Sequence, residues 1–179
     1  VRVSYAGRLD KDSQGLLLLT NQGDLINRIM KAGNFHEKEY LVQVDKEVTE
    51  DFLKKMAQGV PILGTVTRKC RIEKAGRDQF RIVLTQGLNR QNRRMCSYFG
   101  YEVVSLTRTR ILNLRLGDLP KGSFREATKE ELEELERLLQ EGEKNRKEEV
   151  FAGGKPVKNA GKYRNPQKEN GKRKQRRFL

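Results

Sequence analysis

The chain has 179 residues, enough for one domain with a buried core, and carries 38 Lys and Arg against 24 Asp and Glu, a net charge of +14. So basic a chain implies an acidic partner; a membrane surface is not expected, because no apolar stretch is long enough to span a bilayer and no signal-peptide segment is present, which leaves a cytoplasmic protein. Cys70 and Cys96 are too few and too far apart for a zinc site and default to buried reduced thiols, while His36, the single histidine, reads as a partly exposed loop residue, so no metal is expected.

Gly7, Ser13 and Gly15 mark an irregular loop, and the run Leu16-Leu17-Leu18-Leu19 after it has the character of a strand buried on both faces. Asp10 thus sits on a loop anchored by the core, a suitable place for a side chain that must hold one geometry. On this stretch alone Asp10 and Asp12 read as turn formers. Leu25, Ile26, Ile29 and Met30 recur at helical spacing up to Gly33, a C-terminal stop. Tyr40, Val42 and Val44 alternate as in a strand. Thr49 then serves as N-cap to a helix whose stripe is Phe52, Leu53 and Met56 and which Gly59 ends.

Val66 to Glu73 and Phe80 to Thr85 read as a hairpin joined across Gly76 and Asp78. A helix follows from Arg90 to Phe99, with Met95, Tyr98 and Phe99 on one face and Gly100 as its stop, and Val103 to Thr107 returns to strand character. Thr128 and Glu131 form a capping box ahead of the stripe Leu132, Leu135, Leu138 and Leu139, which runs to Gly142. Residues 143 to 179 carry 13 Lys and Arg against 4 Asp and Glu with few apolar residues, and are expected to be a disordered basic tail behind a folded domain of residues 1 to 142. Helices and strands that mix without regular alternation predict an α+β domain, its sheet mainly antiparallel with flanking helices.

Three segments in order narrow the reading: Gly7-Arg8-Leu9-Asp10, Glu37-Lys38-Glu39-Tyr40-Leu41-Val42, and Gln86-Gly87-Leu88-Asn89-Arg90-Gln91-Asn92-Arg93-Arg94. Together they resemble the signature runs of the RsuA/RluB/RluE/RluF family of pseudouridine synthases, a GRLD-type loop, a KxY-type strand and a Gly-x-x-RQ-x-RR helix start. The resemblance continues through Ile111 to Pro120, covers about four-fifths of the chain, and is strongest to the RluF type. It implies the family's mixed, largely antiparallel catalytic fold. Such members usually carry an N-terminal S4-type RNA-binding domain and an opening strand before the GRLD loop, so a chain starting nine residues before Asp10 is expected to be a fragment.

The resemblance implies an isomerase that converts uridine to pseudouridine without a cofactor: the bond from base to sugar breaks, the base turns, and the sugar rejoins through carbon. A carboxylate is the side chain such glycosidic chemistry recruits, and by resemblance Asp10 is the nucleophile; attack at the sugar carbon and addition to the base both remain open. A neighbouring cation would keep such a carboxylate ionised, and by the same resemblance Arg93 is its partner, gripping it through two parallel bonds. Adjacent helical residues point roughly 100° apart, so only one of Arg93 and Arg94 faces the site. Tyr40 offers a ring to stack on uracil and a hydroxyl for proton transfer, its alternative being a packed strand tyrosine.

Extracting the uridine from its stack has a cost that phosphate contacts offset, and Arg8, Leu9, Lys11, Arg90, Gln91 and Asn92 lie beside the site as RNA-binding residues. Asn92 departs from the family, which has an apolar residue there, and a buried amide without partners would loosen the helix start. Leu116 is either an apolar wall for the base or a plain core leucine. The implied partner is a stem-loop of large-subunit ribosomal RNA, bound by a monomer. A non-catalytic RNA-binding protein or an inactive truncated homologue would share the charge, although simple phosphate binding has no use for a loop carboxylate among cations.

Overall fold

A computed structural model describes residues 2–31 and 35–152. Its elements, in chain order, are β1 (Ser4–Ala6), β2 (Gln14–Gly15), β3 (Leu18–Thr20), α1 (Gly23–Met30), β4 (Lys38–Val44), α2 (Glu50–Ala57), β5 (Pro61–Ile62), β6 (Thr65–Val66), β7 (Arg71–Lys74) and β8 (Gln79–Leu84). After these come α3 (Gln91–Tyr98), β9 (Val103–Ile111), β10 (Leu114–Arg115) and α4 (Lys129–Ala152). The main sheet runs in the order β10-β9-β4-β8-β7 with every neighbour antiparallel, and β2 joins β9 as a parallel addition. This is the α+β fold with a mainly antiparallel sheet that the irregular element order predicts.

Period-two alternation builds the core: Val42 and Val44 on β4, Phe80, Ile82 and Leu84 on β8, and Leu106 on β9 are all buried in one cluster. Helix α2 covers it with Phe52, Leu53 and Met56, starting where the Thr49 hydroxyl accepts the Phe52 amide at 3.1 Å. The Phe52 ring lies 5.5 Å from Phe80 and 4.1 Å from Tyr101, contacts whose loss in Phe52→Ala is worth about 3–5 kcal/mol. A second cluster, comprising Ala6, Leu16, Ile29, Ile111, Leu112, Leu114, Leu135 and Leu139, packs α1 and α4 against the ends of β1, β9 and β10.

Several expectations are corrected. The four-leucine run is not a strand buried on both faces: Leu16 is buried, but Leu17 and Leu19 are 40% and 56% exposed, because β3 pairs only with β1 in a two-stranded ribbon that has a single covered face. Val66 belongs to the small hairpin β5-β6 instead of the hairpin β7-β8, which begins at Arg71. In α3 the buried residues are Gln91, Asn92, Met95 and Cys96, while Tyr98 is exposed.

His36 is buried, with Nδ1 3.0 Å from the Ile29 carbonyl, and that burial lowers its pKa. Gly142 does not end α4, which runs on to Ala152. A helical Gly costs only about 1 kcal/mol, and Arg28 of α1 ties the helix down on both sides of it, gripping Glu136 at 2.8 and 3.0 Å and Glu143 at 2.8 Å. Residues 143–152, expected as the start of a disordered tail, belong to α4 instead, and the proposed stop at Gly33 and the rest of that tail, 153–179, lie outside the described residues. The capping box is present: Glu131 accepts the Thr128 amide at 2.9 Å, and Thr128 accepts the Glu131 amide at 3.1 Å. Leu135 and Leu139 are buried beneath it, whereas Leu132 stays half exposed.

Candidate active site

The GRLD segment leaves β1 at Gly7 and closes a turn in which the Ser13 amide donates to the Asp10 carbonyl at 2.9 Å. Asp10, Lys11 and Asp12 are exposed on that turn. The segment then docks on β9. Gln14 and Gly15 pair with Thr107 and Arg108, and the Leu16 amide donates to the Arg108 carbonyl at 2.8 Å. Gly15 is required by this approach: at φ +108°, a Cβ would stand 2.3 Å from the Arg108 carbonyl oxygen.

Arg108 returns the contact through its side chain. Nε donates to the Leu16 carbonyl at 2.9 Å and Nη1 to the Arg8 carbonyl at 3.1 Å, so one guanidinium holds the chain on both sides of Asp10. The residue is 3% exposed, and its Nη2 has no partner among the described residues. Tyr40 lies opposite it, because β4 and β9 slip register between Glu39, paired with Arg110, and Tyr40, paired with Arg108. Burial raises the Tyr40 phenol pKa; the neighbouring Arg108 guanidinium opposes that rise and the Asp10 carboxylate adds to it. Lys38, two residues before Tyr40 on β4, is lowered by burial and then by Arg108.

Helix α3 brings the second set of cations. Its N-cap, Arg90, takes the left-handed conformation at φ 50°, unusual for a residue with a side chain, and grips the Asp12 carboxylate with two bonds at 3.0 and 2.9 Å. That hydrogen bond lowers the Asp12 pKa, aided by the charges of Arg93 and Arg90. The expected pairing of Arg93 with Asp10 is corrected. Arg93 Nη2 donates to the Asp12 carbonyl at 2.6 Å and Nη1 to the Val103 carbonyl at 3.1 Å, while Nε lies 3.2 Å from Asp12 Oδ2 without hydrogen-bond alignment. A carboxylate two residues further along the turn, already fixed by Arg90, captures it. Arg94 points elsewhere, donating to the Asn89 carbonyl at 3.0 Å and to Asn89 Oδ1 at 3.2 Å.

Of the expected RNA-binding residues, Arg8, Lys11 and Arg90 are exposed around the turn and Leu9 is half-buried. Gln91 and Asn92 are each only 5% exposed and turn into the domain instead. Gln91 accepts the Leu88 amide at 3.2 Å, whereas Asn92 Oδ1 has no partner among the described residues. Leu116 packs against the second core cluster. Cys96 and Cys70 are free thiols, pushed up to about 12 and about 11 by burial. Among the described residues, no three His, Cys, Asp or Glu side chains stand together as metal ligands would, and no helix is long and apolar enough to cross a membrane.

A family profile described as RNA pseudouridylate synthase matches residues 1–98, a span containing Asp10, Tyr40 and Arg93. The chain belongs to this family. Dual-specificity RNA pseudouridine synthase RluF of Salmonella typhi is 59% identical over 139 residues, covering 78% of this chain and 48% of that protein. Ribosomal large subunit pseudouridine synthase B of Bacillus subtilis is 32% identical over 147 residues, covering 79% and 60%. A crystal structure of a pseudouridylate synthase superposes with a TM-score of 0.71 at 32% identity, covering 74% of this chain and 59% of that one. The chain thus spans about half the length of the RluF relatives it matches.

Beside the family signature stand two residues that sequence reasoning passed over for this site, Arg108 and Asp12. Asp12 was visible as a charged neighbour of Asp10 but carried no sign of which arginine it would take. Arg108 had one faint signal, a cation two residues past the apolar Leu106 on the same strand.

Proposed function

We propose that this pseudouridine synthase isomerises uridine in large-subunit ribosomal RNA to pseudouridine, with Asp10 as nucleophile, Tyr40 at the base and Arg93 bracing the turn. The observation that carries the reading is the meeting of an exposed carboxylate, on a turn stapled to the sheet, with a half-buried phenol within its electrostatic reach. In the reaction the glycosidic C1′–N1 bond breaks, a C1′–C5 bond forms, and the proton on C5 is lost while N1 gains one. The atoms balance without an oxidant or cofactor. Tyr40 offers a ring on which the base can stack, and its hydroxyl is the group suited to take the C5 proton.

Because Arg93 is committed to Asp12, its part is to fix the turn that presents Asp10, while Arg8, Lys11 and Arg90 meet phosphates. The names of the relatives, one of them a large-subunit ribosomal enzyme, support the choice of RNA. An RNA partner agrees with the net charge of +14, and we take it to be a ribosomal stem-loop bound by a monomer in the cytoplasm. Within the chain, residues 1–152 supply the catalytic fold, α4 closing its second core cluster, and the basic residues beyond add sequence-independent affinity.

Tritium release from ribosomal RNA labelled at uridine C5 tests the assignment. Asp10→Asn, which keeps the shape and removes the charge and nucleophilicity, abolishes release with fold and RNA affinity nearly unchanged. Multiple turnover by the purified Asp10→Asn protein would overturn it.

A further inference from the structure

We infer that Arg108 is a positioning residue of the proposed reaction, clipping the Asp10 loop to β9 and setting its positive charge against the Tyr40 hydroxyl. The inference rests on the isomerase reading for its catalytic part and on geometry for the rest. A guanidinium taken almost wholly out of water is costly, and the usual compensation is a carboxylate. None stands within ion-pair distance of Arg108 among the described residues; its partners are two backbone carbonyls, those of Arg8 and Leu16. These flank Asp10 by two residues on one side and six on the other. Holding both fixes the ends of the segment from which the carboxylate projects, independently of the exposed contacts through Asp12.

The planar fork of Arg matters here, since Lys has a single nitrogen and cannot occupy both carbonyl positions at this geometry. The remaining nitrogen, Nη2, is buried and unpartnered among the described residues. Two charged groups act on the Tyr40 phenol, Arg108 across from it on β9 and Asp10 on the loop, while the apolar Ile82 lies opposite it on β8. Of these, Arg108 favours the phenolate and Asp10 opposes it. A phenol that must pass a proton during base rearrangement is helped by a fixed cation that loses no reorganisation energy at the moment of transfer.

Tyrosines carrying 13C at Cζ report phenol ionisation without RNA, and Tyr40→Phe assigns the Tyr40 signal among the five tyrosines. Arg108→Gln is expected to move the Tyr40 titration to higher pH, while Arg108→Lys, which keeps the charge, leaves it near the wild-type position. In single-turnover assays Arg108→Gln falls about 100-fold and Arg108→Lys about 10-fold, each with RNA affinity within about twofold of wild type, since displacing the carboxylate by about 1 Å has effects of this size. A Tyr40 signal that Arg108→Gln leaves in place overturns the electrostatic part, and a wild-type rate in Arg108→Lys overturns the clamp. A wild-type chain that releases no tritium refutes the isomerase reading, while the tyrosine titration still decides what the Arg108 charge does. Should Arg108→Gln fail to fold, the Lys variant decides through its rate.

Discussion

Two sets of arginines hold the Asp10 turn, and they differ in almost every physical respect. Arg90 and Arg93 reach it from the start of α3 through Asp12, with side-chain exposures of 41% and 16%; Arg90 grips the Asp12 carboxylate, itself 45% exposed, and Arg93 bonds the Asp12 carbonyl. Arg108 reaches it from β9, is buried, and bonds to main-chain carbonyls. Exposed ion pairs weaken with salt, so the Arg90–Asp12 pair is exchangeable, and a phosphate can take Arg90 at little cost. The second set has no competing solvent and stays put. One turn is thereby both fixed at its ends and adjustable at its tip, where the proposed RNA substrate would enter.

The comparison breaks most readily at Gly15. Gly15→Ala places a Cβ 2.3 Å from the Arg108 carbonyl in a left-handed backbone, so the loop should detach from β9. We expect a stability loss of about 1–3 kcal/mol by chemical denaturation and loss of most tritium release. Gly23→Ala, with nothing within 4 Å of the added carbon, is the control and should be nearly neutral. A Gly15→Ala protein as active as wild type would show that docking on β9 does not set the site.

Arg93→Leu should lower the single-turnover rate about tenfold, and Arg94→Leu should lower it less, because only Arg93 touches the turn. Equal losses would remove Arg93 from its bracing role. Arg90→Gln, at the exposed extreme, should leave the rate at saturating RNA unchanged, weaken binding a few-fold and reduce the slope of log affinity against log salt by about 1. A slope that stays the same would mean that Arg90 remains with Asp12 in the complex.

The smallest effect is one of pH. Hydrogen bonding from Arg90 holds the folded-state pKa of Asp12 below its ordinary 3.8, so its contribution to stability is present above that value and is lost as pH falls through the lowered one. Wild type should therefore melt slightly above Asp12→Asn at neutral pH, with the two melting temperatures converging only below pH 3.8. Convergence already at pH 5 would show that the pair does not persist in solution.

Local rules made much of this protein legible in its sequence. Thr49 and the pair Thr128 and Glu131 cap helices because a hydroxyl or carboxylate three residues from an amide can satisfy it whatever lies beyond. Tyr40, Val42 and Val44 alternate because strand geometry leaves no other choice. The order of the three signature segments was enough to assign the family. The leucine run misled, since an apolar strand reads alike whether neighbours cover one face or two, and only the two-stranded pairing of β3 with β1 exposes Leu17 and Leu19. Gly142 misled for a related reason, because the ion pairs from Arg28 that carry α4 past it come from a helix more than a hundred residues earlier.

By itself the sequence determined which residue types stand near the chemistry: an aspartate on a glycine-flanked turn, a tyrosine on a central strand and arginines at a helix start. Tertiary structure alone decided which charges meet. A register slip between β4 and β9 sets Arg108 against Tyr40, and the docking of β2 on β9 brings the Arg8 and Leu16 carbonyls within its reach. Arg93 turns to Asp12 instead of Asp10 because Arg90 already orients that carboxylate. These ion pairs and hydrogen bonds join residues some eighty to a hundred positions apart in the chain, where a shift of one residue in strand register changes the partner, and no local pattern in the sequence encodes that shift.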